Sequence, residues 1–127
     1  MLRNEKGFTL IEIIAVLVIL GILAAVAVPK YLSMMDQARI SAAQSAIAEV
    51  KAQASNYYAS QMLANNGTTS VESVFASITA TPDLGPDYGV SAETFASGIK
   101  ITVDTVKTVS LGAAAVVGSW YYPGLGE

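Results

Sequence analysis

Residues 8–28 read FTLIEIIAVLVILGILAAVAV, and Glu12 is the one ionisable side chain among them. A helix crosses the hydrocarbon core of a bilayer with about 20 apolar residues, so this stretch predicts a membrane-spanning helix. It also explains the composition. The chain has 127 residues, of which 53% are hydrophobic and 13% charged, and its mean hydropathy is +0.50. The excess is concentrated in this segment. Elsewhere the sequence is ordinary, rich in Ala, Ser, Thr and Gly, with room for about one domain.

Several functions are disfavoured by what the sequence lacks. The formal net charge is −3, and the cations form no cluster beyond the first six residues, so there is no basic stripe for phosphate neutralisation and no case for nucleic-acid binding. Cysteine and histidine are absent. That removes disulfides, thiolate metal sites and the commonest general base. The Ser and Thr residues have no base partner to activate them, and the chain is read as a non-enzyme.

Ahead of the apolar run, Arg3 and Lys6 outnumber Glu5. The positive-inside rule leaves this end in the cytoplasm and sends the C-terminus out. Three readings compete. A secretory signal has a shorter apolar core and a small-residue cleavage site, which Ala24-Ala25-Val26-Ala27 imitates; cutting there would strip the following helix of its anchor. A plain single-pass anchor is the second. The third turns on Glu12, because a carboxylate within a membrane helix costs about 2.5–3.5 kcal/mol at the bilayer centre. Near the cytoplasmic end snorkelling lowers that cost, which leaves an interfacial residue without a role as the bland account. If the chain is cut after Gly7, however, a new amine appears on Phe8, four residues before Glu12. Paired within a chain or between stacked copies, the two charges would fix the register of assembly, since an unpaired buried charge is expensive.

Gly7-Phe8-Thr9-Leu10-Ile11-Glu12 resembles the signature of type IV prepilins and pseudopilins: a short basic leader ending in Gly, then Phe, with Glu fifth in the mature chain. Gly21, Ala24-Ala25-Val26-Ala27-Val28-Pro29 and Tyr31 are similar too. The likeness is dense over about the first 55 residues and then fades. It implies that a membrane-embedded prepilin peptidase cuts between Gly7 and Phe8 and methylates the Phe8 amine. It also implies that Glu12, with Phe8 and Pro29, serves assembly into a homopolymer driven by an inner-membrane platform and its ATPase. The implied location is the inner membrane as a single-pass protein, then an extracellular pilus serving adhesion, motility or DNA uptake. A periplasmic pseudopilus of a type II secretion system is the alternative. A membrane-tethered binding module, in which the helix is only an anchor, is a rival of another class. Many type IV pilins close a C-terminal loop with a disulfide, which this chain cannot do.

Past the membrane stretch, Pro29 is a place for a bend. From Tyr31 to Met62 there is no Pro or Gly, and Ile40, Ala43, Ile47, Val50, Ala54 and Tyr57 recur at spacings that put them on one helical face. A helix from Phe8 to about Met62 would be roughly 80 Å long, more than a domain of this size can enclose. Asn65-Asn66-Gly67-Thr68-Thr69 reads as a helix stop. Val71, Val74, Phe75 and Ile78 form a short helix capped by Thr69 or Ser70. Thr81–Gly89 is read as a loop, and Ile99, Ile101 and Val103 alternate with polar residues as in a half-buried strand. Val106–Leu111 and Ala114–Tyr122 are further strands, separated by Gly112.

The expected organisation is a leader at 1–7, a membrane or filament-core half-helix at 8–29, an amphipathic half at 30–64, and a C-terminal part at 65–127. The expected class is α+β and pilin-like: a long N-terminal helix packed by its C-terminal half against a small antiparallel sheet of about three strands. Asp83, Asp87 and Glu93 are weak calcium candidates because carboxylate oxygens suit that ion, but their spacing matches no defined loop, so solvated acids and no cofactor are the expectation. Tyr57, Tyr58, Trp120, Tyr121 and Tyr122 are read as packing aromatics. Pro123-Gly124-Leu125-Gly126 is read as an exposed tail.

Overall fold

The computed structural model describes residues 7–80 and 84–123; most of the leader, Asp83 with the two residues before it, and the last four residues lie outside it. One helix, α1, runs from Leu10 to Ala64 and continues through Pro29. Its end follows from local chemistry. Asn66 and Gly67 take positive φ values of 50° and 86°, and the Gly67 N–H donates to the Met62 carbonyl at 2.9 Å. This is the six-to-one bond of a Schellman motif, which satisfies carbonyls that the helix leaves open. Helix α2, Val71–Ala80, starts on a reciprocal cap. Ser73 N–H donates to Ser70 Oγ, and Ser70 N–H to Ser73 Oγ, at 3.3 and 3.4 Å. Of the two expected caps it is therefore Ser70 that accepts a backbone N–H of the first turn, while the Thr69 hydroxyl shares a 3.0 Å bond with Ser73 Oγ.

The chain forms two compact units, one ending at Gln37 and one beginning at Ala38. In the first, α1 contains an 18-residue window of mean hydropathy 3.0, none of it buried within the chain. In the second, α1 contributes Ala43, Ala46, Ile47, Val50 and Ala54 to the core. Ala46 was not among the stripe residues read from sequence; Ile40 and Tyr57, which were, are half-buried. Helix α2 adds Val74 and Ile78.

The rest of the core comes from an antiparallel sheet. Its strands are β1 (Tyr88–Phe95), β2 (Gly98–Val106), β3 (Val109–Ser110) and β4 (Val116–Tyr121). Strand β2 is central. Strand β1 pairs along it from Val106 to Gly98, so β3 and β4 share its other edge. Strand β3 pairs with Thr105 and Val106, and β4 with Gly98–Val103. The sheet therefore has the three-ribbon width expected, but four strands.

Two expectations differ from the structure. Strand β1 begins inside the stretch read as a loop, at Tyr88. And Val106–Leu111 is not one strand: it reverses at Lys107 and Thr108, with φ values of 51° and 62°. Two consecutive residues at positive φ form the tight turn that suits the twist of a hairpin. Burial along β2 explains why Val106 belongs to the core. Ile99, Ile101 and Val103 face inward, and strict alternation would then bring in Thr105. The register slips between Gly89 and Val90, whose partners are Thr105 and Val103. Asp104 is the extra residue of a bulge, and the slip restores Val106 to the inner face, where it is 2% exposed.

A β-branched residue at positive φ is sterically poor, so the Lys107-Thr108 turn carries strain. Replacing the pair by Asn-Gly should stabilise the C-terminal unit by about 1 kcal/mol. Urea unfolding of a fragment beginning at Lys30 measures this. A loss of stability would show that the Thr108 Oγ1 bond to the Lys107 carbonyl outweighs the strain.

Candidate functional site

Glu12 sits in the first turn of α1, and the structure gives it a partner close by. The Thr9 N–H donates to Glu12 Oε2 at 2.8 Å, and the Glu12 N–H donates to Thr9 Oγ1 at 3.4 Å. Thr-x-x-Glu with both bonds present is a capping box. It fastens the carboxylate at the helix end where backbone N–H groups lack partners and negative charge is favoured. Sequence reasoning weighed Glu12 for charge alone and missed Thr9, although the four-residue signal was legible. A carboxylate offers two oxygens and several lone pairs, so the cap leaves room for a further donor.

Phe8 is 86% exposed. A side chain at Gly7 would meet nothing within 4 Å, so packing within the chain gives no reason for glycine there. From Phe8 to Met35, eighteen large apolar side chains each keep at least 39% of their surface exposed. Covering such a set is worth tens of kcal/mol, against about 5–15 kcal/mol for the stability of a typical domain. In water this unit demands lipid or other apolar helices around it.

The other singled-out residues fall elsewhere. Pro29 lies within α1, 17 positions beyond Glu12 in sequence and outside the capping box. Asp83 is outside the described residues, Asp87 is exposed, and Glu93 pairs with Lys100 at 3.5 Å. Among the described residues, no three acidic side chains converge as a metal site would require.

Five aromatic residues form two edge-to-face sets, while Tyr57 packs against the core outside both. Tyr58, Trp120 and Tyr122 form an edge-to-face cluster with centroids 5.2–6.3 Å apart. Trp120 Nε1 donates to Ser55 Oγ at 3.0 Å, and the Tyr122 hydroxyl donates to the Thr69 carbonyl at 2.6 Å. Loss of hydration, with the nearby Tyr58, raises the pKa of the Tyr122 phenol. Beside this seam, a Cβ on Gly118 would overlap Ile47 Cγ2, so glycine is what lets β4 lie against α1. Phe95 and Tyr121 make a separate edge-to-face pair at 5.7 Å.

Residues 2–28 match the family model described as the prokaryotic N-terminal methylation motif. The chain is 36% identical over 112 residues to the major component of the type IV narrow pilus of Thermus thermophilus, covering 88% of this chain and 83% of that one. It is 52% identical over 50 residues to the type II secretion system core protein G of Pseudomonas aeruginosa, covering 39% of this chain and 35% of that protein. With a fimbrial protein of Neisseria meningitidis it shares 35% over 89 residues, 70% of this chain and 49% of the relative. It thus spans about a third to a half of the latter two and most of the Thermus subunit. No solved structure matches the chain.

Proposed function

Because the chain belongs to the type IV pilin and pseudopilin family, we propose that it is a structural subunit that polymerises through its N-terminal helix into a type IV pilus. The eighteen apolar side chains that its own fold leaves uncovered carry this reading. A bilayer covers them first, and helices of other copies cover them after extraction. Small residues at Gly21, Ala24, Ala25 and Ala27 allow close helix approach.

In this reading a prepilin peptidase cuts between Gly7 and Phe8 and methylates the Phe8 amine. The absence of any packing reason for glycine at position 7 fits recognition by an outside partner. The subunit begins as a single-pass inner-membrane protein with a cytoplasmic N-terminus, and an assembly platform with its ATPase lifts it into the filament. Mass spectrometry of the mature protein should find Phe8 at the N-terminus with one added methyl group, and Gly7→Leu should leave residues 1–7 attached. Filaments whose subunits begin at Met1 would contradict the proposal.

A secretion pseudopilus is the second reading, favoured by the 52% identity to core protein G over 50 residues. The pilus reading rests on a longer match: 112 aligned residues are too many for α1 alone and must extend into the C-terminal unit. Immunogold imaging separates them, since surface fibres bearing this chain are expected for a pilus.

A further inference from the structure

We propose that Asn66-Gly67 is a self-modifying site, an asparagine that converts to aspartate and isoaspartate at a rate gated by the cap that ends α1. The chemistry needs only the chain and water. The Gly67 amide nitrogen, having lost its proton, attacks Asn66 Cγ and expels ammonia, closing a five-membered succinimide. Water then opens the ring at either carbonyl. The net change is one amide and one water converted to one acid and one ammonia, with no oxidant or cofactor.

The sequence supplies an unhindered nucleophile, because glycine has no Cβ to crowd the attack and the space around Gly67 is open. Asn66 is exposed, and no hydrogen bond among the described residues restrains its side chain, whereas the neighbouring Asn65 amide donates to Gln61 Oε1 at 2.7 Å. What opposes the reaction is the helix end itself. The attacking nitrogen is the donor of the 2.9 Å bond to the Met62 carbonyl, so its proton is committed while the cap is closed. Just downstream, Tyr122 holds the connector through the Thr69 carbonyl. Opening the end of α1 frees that nitrogen, and the Tyr122 bond resists the opening by anchoring the connector that follows.

The consequences run one way. Aspartate at position 66 puts a negative charge beside the last carbonyls of α1, where the helix dipole disfavours it. Isoaspartate lengthens the main chain by one carbon and cannot reproduce the Schellman bonds. Each conversion therefore loosens the α1–α2 junction, and subunits age at this point.

The test holds the full chain in detergent micelles in warm, mildly alkaline buffer, with and without urea. Peptide mass spectrometry follows the amide-to-acid mass change, and isoaspartyl methyltransferase labelling follows the isomer. Unfolded chain should convert at Asn66 roughly fivefold or more faster than folded chain, the ratio one net backbone hydrogen bond supports. Tyr122→Phe, checked for folding by circular dichroism, should fall between. Gly67→Ala should slow the reaction in urea, where only the nucleophile's access matters. Equal rates folded and unfolded, earlier conversion at Asn56 or Asn65, or no conversion at Asn66 in urea would each overturn the proposal.

Discussion

Glu12→Ala should leave membrane insertion and cleavage after Gly7 intact while lowering filament yield by about a hundredfold, and Glu12→Gln should do nearly the same. The two substitutions separate what the carboxylate does. In the structure it accepts the Thr9 N–H, a bond that glutamine can also make in a capping box. Glu12→Gln therefore keeps the helix end and removes only the charge. In the proposed assembly that charge faces the Phe8 amine created by cleavage. Leaving one member of such a pair alone in an apolar surrounding costs about 3–5 kcal/mol, and at about 1.4 kcal/mol per tenfold that is enough for a hundredfold loss or more. Immunoblots of sheared filaments, beside blots of the processed membrane pool, measure both effects. Normal filaments from Glu12→Gln with few from Glu12→Ala would mean that the cap matters and the charge pair does not. Normal filaments from both would favour the tethered-module reading. The bland interfacial account of Glu12 predicts that outcome too.

Parts of the fold were legible because their signals are local. The apolar run broken only by Glu12, the Asn-Gly helix stop and the Thr69 or Ser70 cap of α2 are each read from one contiguous segment. The alternation of Ile99, Ile101 and Val103 is equally plain, since β2 is flanked by strands on both edges and has one face in the core. Strand β1 gave little signal for the converse reason. It pairs with β2 alone, all of its residues are half-buried or exposed, and Val90 and Thr94 are its only β-branched residues. The reversal at Lys107-Thr108 lacks the Asn-Gly or Gly that marks such turns, so it read as continuous strand. Ala46 was overlooked because the stripe steps from Ala43 to Ile47 and leaves position 46 beside the row, yet it is 5% exposed. At the candidate site the acid was legible and its clasp was missed: a carboxylate in an apolar run draws attention to charge, while Thr9 matters for backbone donors.

Trp120→Ala should destabilise the C-terminal unit by about 3–5 kcal/mol, the usual cost of deleting a large buried aromatic. A domain of this size holds about 5–15 kcal/mol, so much of its margin would go. The reasons are specific to β4. Trp120 is 6% exposed and pairs with Ile99 across the sheet. It meets Tyr58 and Tyr122 edge-on and reaches Ser55 on α1 through its indole N–H. Two milder substitutions divide these contributions. Ser55→Ala removes the acceptor, together with the Ser55 hydroxyl's own bond to the Lys51 carbonyl at 3.0 Å, and should cost about 1 kcal/mol. Gly118→Val overfills the place where β4 meets Ile47 and should cost about 1–3 kcal/mol. Urea denaturation of the fragment beginning at Lys30 orders the three. That order decides how the sheet is held: if Trp120→Ala is no worse than Ser55→Ala, the seam between β4 and α1 is not the strongest bond between them, and the buried aliphatic rows of β2 carry the unit instead.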